Sequence, residues 1–574
     1  MGVLRYFYHL YKTKKGFWDA LQASRPFHVD ILCIDCNAVF HPAVKEIFFP
    51  ETISLLRRPK TYDELELIAF DNVIKHLQQI IHQCPPGKIL YLAVDGVAGM
   101  CKQSQQRKRR YKAAQERQTM PDKHIPTSDG KRFDGCALSC GTPFMKRLSA
   151  HIQQWILKIK QYPYQSLTII FDGMDVVSEG EHKLVKFVNN YTRTRPRTSY
   201  CIYSPDADLI FLSLCIPRGK GTILRPNIYR EVQASHILVH CNRLRNILIE
   251  SLTTSTLLAE STTTPSLTSS TTQTQTVSTM MPLDVSHEKM LIDYILILFL
   301  CGNDFLPCMY AYEINNEGID VIAQSYLHAV HTHGPIITSG NHISLDSFLC
   351  FFKALADKES AMLVQKCKSI LHNDALQKGH TDPLLTTNVQ FDEETKVGVL
   401  NMDTMRRQYY ENKFHITSDD DIGAICKAYV RGLHFVITYY TSSIPSYDWY
   451  YEYHYAPLAC DIYQYLCTFK EKSSLQEWHE MQQWTYVGPL TQKQALLGVI
   501  PPSSVEVLPE ELQPVMNKLA NSSKHKHLFS ETFDVDLDGK MQDYEGICLL
   551  PNITYKQLKQ FYKDSEEVQS AIQY

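Results

Sequence analysis

The chain has 574 residues, 44% hydrophobic and 21% charged, a balance that fits a globular protein in water and leaves room for more than one domain. Its net charge of −3 excludes binding nucleic acid through bulk charge, so any such contact must come from a local patch. The 17 cysteines include one CxxC, Cys33 with Cys36, and no second pair at zinc-finger spacing, which favours free thiols in a reducing compartment. The start, Met1-Gly2-Val3-Leu4-Arg5, lacks the layout of a signal peptide, and the longest apolar run, Ile292 to Cys301, falls short of the ~20 residues a bilayer requires. The expectation is an intracellular, cytoplasmic protein with no membrane contact.

In chain order, Val29 to Ile34 is an apolar run ending on Asp35, the pattern of a buried parallel strand. Asp63 to Gln83 has helical periodicity, and Ile89 to Val94 is a second strand closing on Asp95. A helix over 142–160, a strand at Leu167–Phe171, a helix over 181–191 and a strand at Ser199–Tyr203 continue the alternation. This predicts an α/β fold with a mostly parallel sheet, whose ligands bind beyond the carboxyl ends of the strands.

Acids collect at those ends: Asp35, Asp95, Glu179 with Glu181, and Asp206 with Asp208, joined by Asp304 after the apolar run that follows Ile292. On extended backbone Asp206 and Asp208 would share a face. Like charges set among core residues are costly unless a cation neutralises them, so the seven carboxylates read as one metal site. Between Asp95 and the next helix, Lys102 to Arg117 holds seven Lys/Arg and a single acid. As a helix it places Lys102, Gln106, Arg109 and Arg110 on one face, suited to a phosphate. A charge run alone is ordinarily a solvated face. Next to an acid cluster it forms the layout of a phosphodiester-cleaving enzyme.

Residues 251–279 hold 19 Ser/Thr and one charge, and read as a disordered insert. A helix resumes at Ser286. Past Asn315 the pattern is mainly helical, with a polar, poorly ordered stretch near 373–396. Residues 447–455 contain six aromatics, read as packed core with one ring left to stack on a base. Asp534, Asp536 and Asp538 lack the closing glutamate of a calcium loop.

The order of these pieces resembles the Xrn family of 5′→3′ exoribonucleases over essentially the whole chain. The matching stretches are Asp35-Cys36-Asn37 with His41, Ala93 to Ala98 followed by Gln105-Gln106-Arg107, Glu179-Gly180-Glu181-His182-Lys183, Asp206-Ala207-Asp208, and Gly302-Asn303-Asp304-Phe305. The second half adds Trp449-Tyr450-Tyr451, His454-Tyr455-Ala456-Pro457 and Asp538-Gly539-Lys540. Two positions depart from the family: Ala38 stands where it commonly has Gly, and Val177-Ser178 where it has Pro-Gly.

The resemblance implies a PIN/FEN-like nuclease domain over 1–330 and a mainly α-helical segment over 331–574 that closes the substrate pocket. It implies two Mg²⁺ ions, with Mn²⁺ able to substitute, on Asp35, Asp95, Glu179, Glu181, Asp206, Asp208 and Asp304. It also implies a 5′-phosphate pocket of Lys102, Gln106, Arg109 and Arg110, and base stacking by His41 with Trp449 or, as the alternative, Tyr447. The expected activity is processive 5′→3′ degradation of single-stranded RNA bearing a 5′-monophosphate, by a monomer, in RNA turnover after decapping. A structure-specific flap-type DNA nuclease would share the acids but lack the second-half match. A catalytically silent RNA-binding scaffold would have no use for seven clustered acids.

Overall fold

Seven strands form one sheet in the order β1 (Trp18–Leu21), β7 (His236–His240), β6 (Lys220–Pro226), β5 (Ser199–Tyr203), β2 (Val29–Asp35), β3 (Pro86–Ala93) and β4 (Thr168–Asp172). The computed structural model describes residues 6–13, 18–21, 26–49, 60–119, 127–226, 236–259, 287–314, 317–372, 379–395, 397–471 and 474–572. The strands from β4 to β6 pair parallel, whereas β7 runs antiparallel to both β6 and β1. The chain lays down β2, β3 and β4 outward in one direction, then returns to place β5 on the other side of β2. That reversal is the switch point beside which ligands bind in such sheets.

The parallel strands are buried on both faces, so their sequence is continuously apolar. Leu32, Ile34, Leu90 and Leu92 face one core, shared with α2 (Cys36–Phe48), α3 (Tyr62–Gln83) and α5 (Pro143–Gln161). Ile31, Cys33, Tyr91 and Ile202 face the other, shared with α6 (Gly180–Thr194), α7 (Asp208–Leu214) and the helices of the second half. A third cluster joins Val97 and Met100 to Leu496, Leu497, Ile500 and Met516. It fastens the start of helix Met100–Thr119 to residues some four hundred positions later. Arg107 strengthens that joint, donating to the carbonyls of Gly498, at 2.8 Å, and Leu528.

Three expectations need correcting. The stretch after β5 is not extended: Ala207 is helical (φ −71°, ψ −26°) and α7 begins at Asp208. The first nine residues of the Ser/Thr-rich segment, 251–259, continue the helix Cys241–Ala259, because Leu252 is buried there; 260–279 lie outside the described residues. Within 373–396, the helix Pro383–Asn388 packs Leu384 and Leu385 into the core and leads into a short hairpin; 373–378 and 396 lie outside the described residues. All 17 cysteines, Cys33 and Cys36 included, are free thiols. Among the described residues, no helix is long and apolar enough to cross a membrane.

Candidate active site

Parallel register brings the strand ends level. Asp35 pairs with Ala93, and Ala93 with Asp172, so Asp35 and Asp95 leave the sheet side by side. Ser204, just past β5, donates to Asp35 Oδ2 at 3.1 Å. Asn37 Oδ1 accepts from the Asp95 amide at 3.0 Å. The amide of Gly180, at the start of α6, donates to Asp95 Oδ1 at 2.7 Å, where the helix N-terminus favours negative charge. A methyl group on Gly180 would lie 3.3 Å from Asp95 Oδ1 and 3.4 Å from Asp35 Oδ1, so the glycine leaves room for both carboxylates to sit close to α6.

Electrostatics show the remaining acids to be neighbours. Burial, then the charges of Asp95 and Asp206, push the Asp35 carboxyl up to about 8. Burial raises Asp95 as well, with Glu179 adding to the effect. Burial pushes Asp208 to about 7, helped by Asp304 and Asp206. Glu181 is raised well above the usual carboxylate range by burial, with Asp208, Glu179 and Asp206 adding repulsion. For Asp304, burial is outweighed chiefly by Lys102, which holds its carboxyl at about 2.

Lys102 is the cation inside this group. Its ammonium lies 2.6 Å from Glu179 Oε2 and 2.7 Å from Asp304 Oδ2. Lys183, beside the cluster, binds the carbonyls of Val94 and Gly173 at 2.8 and 2.9 Å and Asp172 at 3.3 Å. Asp172 also accepts from Tyr91 at 2.6 Å, so this strand-end acid is already partnered.

Whether the acids fit a metal ion can be judged from the atoms they leave open. Glu181 Oε2 and Asp208 Oδ1 are buried with no hydrogen-bond partner. Ligand atoms of Glu179, Glu181 and His182 lie within 4.8 Å of one another. A buried, mutually repelling, oxygen-rich donor set of this kind suits a hard divalent cation. His182 was not anticipated as a donor; its ring stacks on Tyr439 at 3.9 Å, and burial holds it neutral, with a pKa of about 4.

The basic face lies alongside. In α4, the helix Met100–Thr119, Gln106 Oε1 accepts from Arg110 at 3.3 Å. The Arg110 charge bears on Asp95 and that of Arg109 on Asp304. Both charges also lower the pKa of His41, which lies exposed on α2. Tyr447 is anchored by its carbonyl, which accepts from the Met100 amide at 2.9 Å, and its hydroxyl is within reach of the Glu179 charge. Trp449 is packed among second-half rings: Phe435 stacks on it at 4.1 Å, and Trp484 meets it edge-on at 5.9 Å.

These motifs, in this arrangement, match two family profiles. One, described as the XRN 5′-3′ exonuclease N-terminus, matches residues 1–227; the other, described as the Xrn1 helical domain, matches 284–397 and 384–571. The chain belongs to the Xrn family. Among curated Xrn relatives, it is 24% identical to 5′-3′ exoribonuclease 2 of Candida albicans, over 92% of this chain and 67% of that protein. It is 26% identical to human 5′-3′ exoribonuclease 1, over 85% of this chain and 30% of that protein. With the Drosophila melanogaster 5′-3′ exoribonuclease 2 homolog it shares 25% identity, over 92% of this chain and 65% of that protein. The chain thus spans two thirds or less of the length of most of these Xrn relatives.

One contributor escaped the sequence. Tyr439, on the helix Asp419–Thr441, donates to Glu179 Oε1 at 2.7 Å. It lies 260 positions from its partner in a run of ordinary core aromatics, so nothing in its local pattern marks it.

Proposed function

We propose that this protein is a processive 5′→3′ exoribonuclease that degrades single-stranded RNA with a 5′-monophosphate to mononucleotides, in cytoplasmic RNA decay after decapping. The observation that carries this reading is the meeting of a buried acid cluster with the basic face of α4, bridged by Lys102. We assign residues 1–330 to the nuclease domain and 331–574 to the segment that closes its pocket.

In this reading Asp35, Asp95, Glu179, Glu181, Asp206, Asp208 and Asp304 hold two divalent ions, Mg²⁺ or Mn²⁺. Such ions supply an activated water and charge stabilisation at the leaving 3′ oxygen. The chain's own side chains do the rest. Gln106, Arg109 and Arg110 grip the terminal phosphate, and the fixed Gln106–Arg110 contact keeps the guanidinium in place. Lys102, paired with Glu179 and Asp304, joins that grip from the side of the acids. His41 offers its ring to the first base. Trp449 or, as the alternative, Tyr447 supplies the ring that stacks with His41. A small closed pocket at this grip excludes a capped or triphosphorylated end by size and charge.

Asp208→Ala tests the assignment. Turnover of 5′-phosphorylated RNA should vanish while RNA binding is retained; a fully active variant would refute it. Branched-DNA cleavage by the unaltered chain would favour the flap-type alternative.

A further inference from the structure

Helix α4 has a second polar face. Cys101, Ser104, Gln105 and Lys108, which share a helical face, line a cavity of about 400 Å³ on the side away from Arg110. Asp304 belongs to both walls: it holds Lys102 on the acid side and also lines this cavity. Tyr453 and His454 form part of the opposite wall.

Most charges here are matched. Lys413 binds Asp536 and Asp538 at 2.5 and 2.7 Å, and Lys366 and Lys540 share Glu313 at 3.1 and 3.3 Å. Lys108 has no ion-pair or hydrogen-bond partner among the described residues, and burial lowers its ammonium pKa. Three other lining groups carry a buried polar atom without a partner: Gln105 Oε1, Asn303 Nδ2 and His454 Nδ1. The Asn303 orientation is set by its Oδ1, which accepts from the amides of Phe305 and Leu306 at 2.8 Å each. Burial and the Lys108 charge hold His454 neutral, near 4.

Buried polar atoms in native structures are paired by protein, water or ligand, and three that lack a protein partner line this one cavity. The set comprises an acceptor, a donor, a neutral imidazole and a cation, with Phe305, Tyr450 and Tyr453 supplying flat apolar surface. An acceptor and a donor suit the edge of a nucleobase, a lysine suits a phosphate, and the volume lies within the ~300–1,000 Å³ of small-ligand sites. We propose that this cavity binds a nucleoside 5′-monophosphate, the reaction product, next to the acids that release it. The inference rests on the exoribonuclease reading.

The test is equilibrium binding of adenosine 5′-monophosphate, adenosine and inorganic phosphate to the full chain without divalent ions, with RNA cleavage assayed in parallel. The nucleotide should bind at least tenfold tighter than adenosine or phosphate. With Arg110→Ala as the background, which removes the separate 5′-phosphate grip, Lys108→Met and Gln105→Leu should each weaken it at least fivefold. Single-turnover cleavage by Lys108→Met should match that of the unaltered chain. If Lys108→Met fails to fold, Gln105→Leu decides alone. Nucleotide affinity that the cavity variants leave unchanged in that background, or no binding at all, overturns the assignment. Cleavage by the unaltered chain alongside that result confines the failure to the cavity; absence of cleavage refutes the exoribonuclease reading itself.

Discussion

Replacing Tyr439 with phenylalanine removes one donor and little else. The hydroxyl donates to Glu179 Oε1 at 2.7 Å, while the ring stacks on His182 at 3.9 Å, and phenylalanine keeps that stack. The side chain is buried, with 4% of the residue exposed, so water cannot replace the lost donor. A hydrogen bond to a charged group contributes about 1.5–3 kcal/mol. At about 1.4 kcal/mol per tenfold, that is roughly 10- to 150-fold in an equilibrium the carboxylate controls, in line with the loss of other groups that orient metal ligands. Titrating Mg²⁺ in a cleavage assay on 5′-phosphorylated RNA should show the half-maximal concentration rising by about 10- to 100-fold in Tyr439→Phe, with less change in rate at saturation. An unchanged midpoint in a folded variant would refute the idea that the second half of the chain orients the acids of the first.

Other outcomes follow from the same geometry. Arg110→Ala should reduce the preference for 5′-monophosphate over 5′-hydroxyl RNA by about tenfold or more, read as a ratio of kcat/KM; an unaltered ratio would refute the phosphate assignment. Ser178 holds a left-handed φ of 97° at a position where the family commonly has glycine. Ser178→Gly should therefore raise stability by about 1 kcal/mol in urea unfolding, relief of backbone strain exceeding the added freedom of the unfolded chain, and a loss would contradict that strain. Asp293 is fully buried, accepting from the Ile336 and Ile337 amides and the Tyr326 hydroxyl, and burial pushes its carboxyl to about 7. Its folded pKa lies above the unfolded one, so its contribution is complete below about pH 4 and is lost as pH rises through about 7. The stability difference between the unaltered chain and Asp293→Asn should fall by about 3 kcal/mol from pH 5 to pH 8; a constant difference would show that Asp293 is ionised throughout.

The sheet and the acids were legible because each rests on a local rule. Buried parallel strands must be apolar throughout, and acids at their ends stand out against them, as Asp35 and Asp95 do. The α4 face was legible because helical spacing is fixed. What escaped depends on contacts distant in sequence. Tyr439 joins Glu179 across 260 residues, and its neighbours Phe435 and Tyr440 are core residues by any local test. The antiparallel edge β7–β1 is built from short segments with little periodicity. The Asp206–Asp208 spacing fits a strand equally well, and only the end of β5 at Tyr203 makes it a turn entering α7. Ser178 could be flagged by comparison with the family, but its left-handed backbone is visible only in three dimensions.

The most direct test of the exoribonuclease account compares 5′-labelled and 3′-labelled RNA carrying a 5′-monophosphate with 5′-triphosphate and DNA versions, each in Mg²⁺ and in EDTA. The account predicts labelled mononucleotide from the 5′ end, no shortened intermediates, no activity on triphosphate ends and none in EDTA. Internal cuts, or equal degradation of triphosphate ends, would contradict it.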